Sequence, residues 1–325
     1  MGETLEIAKT LVSPVNKLMD MVESAIGTIY EPKHKRKMAD ATAYEISVIG
    51  QALRDYADIP ILYNESGVEI NSKDLQRLMK RAGTRLALQE TAKQHNIESV
   101  VDNAYEELVN EKPCVQEPVE QGWINRFFDS VANISDEDLQ KLWGKILVSK
   151  VKNPNGVSLR ALSVLKNVSR KEAILFASFY PYVLHCKADQ KRSDEDYFLP
   201  IEYFEKREDI VFSDIQNLVD AGLLMYNSSV SFGFDVPPHG EEYFYATTKK
   251  FVAKNLSDEE VKFSVAGYAL TGAGKEIYLA TNDQKEAEQE FYDVCLKVLT
   301  KDLVEYLLNE DSSKKDKIEF FISEL

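Results

Sequence analysis

The chain has 325 residues, 44% apolar and 29% charged, with a formal net charge of −15. Those proportions fit a soluble globular chain of two or three domains, and the acidic balance opposes any broad affinity for DNA, RNA or anionic membrane, leaving that role to a local basic patch. Cys114, Cys186 and Cys295 are odd in number and far apart, which excludes a disulfide framework and points to a reducing cytoplasm, and no apolar run reaches the ~18 residues of a membrane span.

The start, MGETLEIAKTLVSP, lacks the basic region of a secretory signal and fails the myristoylation pattern. Leu5, Ala8, Leu11, Val15, Leu18, Val22, Ile26 and Ile29 recur at three and four, as one helix face requires. Ser13-Pro14 places the start of the longer helix at Pro14. Its mixed polar face favours a core or partner-helix contact over a lipid surface. Lys33, His34, Lys35, Arg36 and Lys37 open a second helix running through Ile46, Leu53 and Tyr56. Such a cluster is either a solvated helix face or a phosphate contact. Asn64 to Gly67 reads as a turn.

A long helix starts at Asn71 or Ser72, with Leu75, Leu78, Met79, Ala82 and Leu86 on its apolar side. Lys73, Arg77, Lys80, Arg81 and Arg85 fall on the other side, and spacings of three and four align them. This net-positive face admits two readings: ion pairing against an acidic helix Glu98–Glu107, or binding of a phosphorylated or nucleic-acid partner. Asn96 is placed as the cap of that following helix, Ile97 to Val109. EKPCVQEPVEQ, with two prolines and no periodicity, reads as a linker.

From Trp123 to Leu184 helix-start signals come in quick succession. Trp123, Ile124, Phe127, Phe128 and Val131 share one face. Ser135, with Asp138 three residues on, is read as the next cap. Leu139, Leu142, Trp143, Ile146 and Leu147 follow as a buried stripe, and Asn153-Pro154-Asn155-Gly156 as a turn. Ser158 caps a short leucine-rich helix, and Ser169 with Glu172 forms a capping box. Both tryptophans are expected in the core. The succession ISDEDLQKLWGKIL, NPNGVSLRAL and LKNVSRKEAILF resembles an uncharacterised bacterial family of unknown function, itself similar to the Abi-alpha proteins of abortive infection. The resemblance spans roughly residues 70 to 280 and implies a bacterial protein of phage defence. It implies no reaction and no catalytic residue.

Ala188 to Asp196 reads as a charged loop. Ser213 with Gln216 is then read as a capping box and Gly222 as the end of that helix; Val230–Phe234, a Pro237–Gly240 turn and aromatic-rich Tyr243–Tyr245 follow, and Val261–Leu270 alternates like a strand. Thr271 starts a short helix. Helix, strand, loop, strand and helix resemble a winged helix. Its would-be recognition helix, SDIQNLVDAG, has two aspartates and no Lys or Arg, which suits protein contacts rather than DNA. An amphipathic helix from Glu286 to Leu308 closes the pattern, and helices at both ends could pair two copies.

Gly272-Ala273-Gly274-Lys275 fails the phosphate-loop pattern, with Ala269 where the first glycine belongs and Glu276 after the lysine. His185-Cys186 and His239 have poor zinc spacing. No catalytic residue, metal or cofactor is nominated. The reading is a mainly α protein: a helical N-terminal region (1–110), a linker (111–122), a central helical bundle (123–187), a winged-helix-like α+β module (198–282) and a C-terminal helix and tail (283–325). The expected function is a non-enzymatic cytoplasmic interaction protein, engaging a protein partner or itself. The alternative is a nucleic-acid binder or nuclease using Lys33, Lys35, Arg36 and Lys37 with the Lys73–Arg85 face.

Overall fold

The computed structural model describes residues 11–26, 72–186, 196–200, 210–225, 230–297 and 318–325. The chain divides into two compact units, Met1–Asn155 and Gly156–Leu325, with the division inside the Asn153–Gly156 turn.

The first unit is helical. Short strands β1 (Leu11–Val12) and β2 (Cys114–Val115) pair antiparallel. Helix α1 (Pro14–Ile26) starts at the proline, whose missing N–H costs nothing in a first turn. Helix α2 (Ser72–Leu108) is one continuous element of 37 residues, about 55 Å long at 1.5 Å per residue. Helices α3 (Gln121–Val131) and α4 (Glu137–Lys152) pack against its second half. Trp123 stacks on Phe127 at 5.1 Å, and Phe127 meets Trp143 edge-on at 5.4 Å. Both tryptophans are fully buried, so the pair is core, as expected. Gly144 lets α4 touch α2 closely: a Cβ there would stand 2.8 Å from that of Asn103.

Two caps differ from the sequence reading in this unit. Asp136, not Ser135, caps α4: its carboxylate accepts from the N–H groups of Asp138 and Leu139, both at 3.1 Å. Asn96 caps nothing, since α2 runs through it. It is buried and its amide donates to the Ala132 carbonyl at 2.9 Å, while Gln140 donates to Ile134 at 2.8 Å. A tertiary bond thus satisfies the side chain that would otherwise compete with the helix backbone.

The second unit overturns the mainly α, winged-helix-like reading. It is an α+β unit built on one seven-stranded antiparallel sheet. The strands are β3 (Leu184–Cys186), β4 (Asp196–Pro200), β5 (Val230–Val236), β6 (Glu241–Tyr245), β7 (Lys249–Asn255), β8 (Val261–Ala269) and β9 (Ile318–Glu324), in the order β5-β8-β4-β3-β6-β7-β9. A winged helix needs only a small β-wing beside its recognition helix. Here β8 pairs with both β5 and β4, and β9 returns from the end of the chain to β7. Helices α5 (Leu159–Leu165), α6 (Arg170–Ser178), α7 (Phe212–Asp220) and α8 (Gly272–Thr281) belong to this unit, and residues 289–297 are also helical.

The caps at Ser158, Ser169 with Glu172, and Thr271 stand where the sequence places them. Helix α7 differs: it starts at Phe212, and the Asp214 carboxylate accepts from the Val211 N–H at 3.2 Å. It ends as expected on Gly222, at φ +77°, with Leu223 N–H reaching the Leu218 carbonyl at 2.9 Å and Gly222 N–H that of Val219 at 2.9 Å. That left-handed position suits glycine. Ser158 N–H donates to Glu276 at 2.7 Å and joins α5 to α8. Tyr180, between Phe176 and Tyr278 edge-on, hydrogen-bonds Thr281 at 2.7 Å. Burial pushes the Tyr278 phenol up to about 12.

Candidate interaction surface on the long helix

The physical split of α2 defines the candidate site. From Asn96 onward the helix is anchored in the core by Asn96, Ile97, Val100, Val101, Ala104 and Leu108, all buried. Before it, the described side chains from Arg77 to His95 are exposed or half-buried. Arg77, Lys80, Arg81 and Arg85 are all exposed, and no acidic residue interrupts them before Glu90. At 100° per residue Arg77, Arg81 and Arg85 spread over about 80° of the helix circumference. Together with Thr84, Leu88, Gln89 and Ala92 these four cations line a surface concavity of about 980 Å³. Thr84 turns its hydroxyl back to the Lys80 carbonyl at 2.9 Å.

Among the described residues the apolar side expected of this half closes over no core. Leu78, Leu86 and Leu88 are 54%, 58% and 67% exposed. The surface therefore combines guanidinium groups with bare leucines, a mixture that phosphate binding alone does not call for.

One of the two sequence-based readings is excluded by geometry. The basic face cannot fold against Glu98–Glu107, because both belong to the same rigid helix. Arg85 and Glu98 are separated by about 20 Å along its axis. Lys73 lies in the first turn of α2. Lys33, His34, Lys35, Arg36 and Lys37 lie outside the described residues, as do the predicted helix that follows them, the turn Asn64–Gly67, most of the charged loop 188–196 and residues 298–317.

Other chemistry-bearing groups take structural places. His185 and Cys186 are neighbours on β3, so their side chains point to opposite faces of the sheet. His185 is stacked between Tyr197 at 5.0 Å and Tyr245 at 5.2 Å. His239, at φ 53° in its turn, meets Asp258 at 2.9 Å. Cys186 and Cys295 are buried, and burial pushes the Cys295 thiol up, away from nucleophilic use. Among the described residues no group of three or more His, Cys, Asp and Glu is placed to hold a metal ion. No described helix is long and apolar enough to cross a membrane.

The family model described as "Protein of unknown function (DUF2806)" matches residues 80–295. No curated protein and no solved structure matches the chain.

Proposed function

The chain belongs to the DUF2806 family, and from that footing we propose that it is a non-enzymatic interaction protein, a sensor or effector of bacterial abortive-infection defence that acts in the cytoplasm through protein–protein contacts. The bacterial and defence elements rest on the resemblance of ISDEDLQKLWGKIL and its flanks to an uncharacterised bacterial family that is itself similar to the Abi-alpha proteins. The contact surface is the first half of α2. The observation that carries it is the coexistence of exposed Arg77, Lys80, Arg81 and Arg85 with exposed Leu78, Leu86 and Leu88 on one helical segment. Arginine is enriched at protein interfaces relative to the rest of the surface, and the exposed leucines offer apolar area to bury against a partner. The partner this chemistry fits is an acidic protein surface with an apolar groove. Val211 and Phe212 at the start of helix α7 are exposed as well and offer further apolar surface to a partner.

A second reading keeps the same face for a nucleic acid. The alignment of Arg77, Arg81 and Arg85 at i, i+4 and i+8 favours it. A titration of the purified chain against duplex DNA, single-stranded DNA and RNA at low and high salt, with a metal-supplemented cleavage lane, separates the two. The expected result is no binding at low salt. A protein recovered from infected cells is then expected to bind the purified chain directly and to lose that binding with Arg77→Glu and Arg81→Glu. Nucleic-acid binding that these two reversals abolish, or cleavage, overturns the protein-contact reading.

A further inference from the structure

We propose that Asn155-Gly156 is a self-modification site, at which the chain converts its own asparagine through a cyclic imide to aspartate and isoaspartate and so sets a carboxylate against Glu117. The chemistry needs these two residues and water. Base removes the proton of the Gly156 backbone nitrogen, which attacks the Asn155 side-chain carbonyl carbon. A new C–N bond closes the imide, and the bond to the side-chain nitrogen breaks with loss of ammonia. Water then opens the ring. Hydrolysis at the side-chain carbonyl leaves aspartate, and hydrolysis at the main-chain carbonyl leaves isoaspartate, in which the chain runs on through the former side chain.

Several observations single out this position. Asn155-Gly156 is the one Asn-Gly succession in the chain. It lies in the turn between α4 and α5, where Asn155 is exposed. Glycine brings no Cβ to shield the attacking nitrogen, and its backbone reaches ring geometries closed to other residues. The Asn155 N–H donates to Asn153 Oδ1 at 3.2 Å, but among the described residues no hydrogen bond engages the Gly156 N–H. Asn153 is a control two residues away: Pro154 follows it, and a proline nitrogen has no proton to lose. Asparagines elsewhere are held. Asn96 and Asn255 are buried, and Asn103 donates to the Ser99 carbonyl at 2.8 Å within α2. Each of these three precedes a residue with a side chain, Ile97, Leu256 and Ala104.

The conversion has a local consequence. Asn155 Nδ2 donates to Glu117 Oε1 at 3.2 Å, and that nitrogen is the one that leaves as ammonia. A carboxylate replaces the donor, so an attraction becomes a contact between like charges. Isoaspartate also adds a methylene to the backbone of the turn. Glu117 belongs to the segment between β2 and α3, and this segment and α1 line a concavity of about 670 Å³ that includes Lys17. The modification therefore releases one wall of that concavity from the turn that ties it. It is slow and one-way, so its extent records the age of the chain.

The test is peptide mapping with fragment sequencing of the full chain, incubated at mildly acidic and mildly alkaline pH beside a synthetic peptide of residues 150–160. The fragment carrying Asn155 is expected to give way with time to a pair of chromatographic peaks, both with the mass gain of an amide turned carboxylate. Conversion is expected to be faster at alkaline pH, where base takes the Gly156 proton, and Asn153 is expected to stay intact. Gly156→Ala is expected to slow conversion several-fold with the wild-type far-ultraviolet circular dichroism. Asn155→Asp, which installs one product directly, is expected to speed amide hydrogen exchange in the segment between β2 and α3. An Asn155 that persists in the chain after the peptide is consumed, a rate indifferent to pH, a Gly156→Ala chain that converts as fast as wild type, or an Asn155→Asp chain with unchanged exchange in that segment overturns the proposal.

Discussion

At Gly274 the first turn of α8 presses on the backbone of the segment that leaves α7. Thr271 accepts from the Gly274 N–H at 2.9 Å and donates to the Gly222 carbonyl at 2.6 Å, while its own N–H reaches Leu223 at 3.0 Å. A Cβ on Gly274 would fall inside the contact distance of the Leu223 carbonyl oxygen, a backbone atom that cannot swing away. Gly272, two residues earlier in the same turn, has nothing within 4 Å of such a Cβ. The glycines of Gly-Ala-Gly-Lys therefore serve close packing at one of their two positions, which gives a physical sense to a motif that fails as a phosphate loop. Gly274→Ala is expected to cost roughly 1–3 kcal/mol by overpacking. Gly272→Ala is expected to be neutral or to stabilise by up to about 1 kcal/mol, because alanine is the better helix former. Urea unfolding midpoints of the two variants check the contrast.

At the scale of elements, the caps show what a linear sequence reveals. Ser158, Ser169 with Glu172, and Thr271 were readable because each bond is local, closed within three residues. At α4 the same grammar points to Ser135, and the backbone instead sets Asp136 half outside the helix. Asp136→Ala is expected to cost about 0.5–2 kcal/mol, and Ser135→Ala far less, since capping contributes only where the side chain meets the free N–H groups. Thermal unfolding of both variants distinguishes them. Elements whose identity depends on distant partners were not readable. Asn96 resembles a cap until Ala132 is placed beside it. Asn255, which donates to Val236, Pro237 and Glu259 at 3.1, 3.1 and 2.7 Å, joins two turns of the sheet through bonds that no periodicity announces. The sheet was underread for the same reason. Strand β8 alternates visibly, but β3 is three residues long, and β9 gains its meaning from β7, more than sixty residues earlier. The candidate face was readable by contrast, because four cations at helical spacing need no tertiary partner to fall together. That its leucines stay bare needed the structure.

For the whole molecule, the proposed acidic partner would have to be engaged by a chain of net charge −15 against its own field. Toward an acidic protein the four cations of α2 attract at contact, while the rest of the chain repels at longer range. Salt screens both effects, and the longer-range repulsion is lost first as the screening length falls toward 8 Å. The two responses oppose one another, and the leucine contacts respond to neither. Affinity for the protein partner is therefore expected to change less than about tenfold between 50 and 200 mM salt, with added salt acting mainly on the association rate. A nucleic acid held by the same four side chains behaves differently, because each neutralised phosphate releases a counterion. Its binding would weaken by about two orders of magnitude over that range, from a slope near −0.9 per contact. The slope of log affinity against log salt, taken for the wild type and for Arg77→Glu with Arg81→Glu, discriminates the two. A shallow slope with affinity lost in the variant assigns α2 to a protein. A steep slope that flattens by about two in the variant assigns it to a polyphosphate backbone.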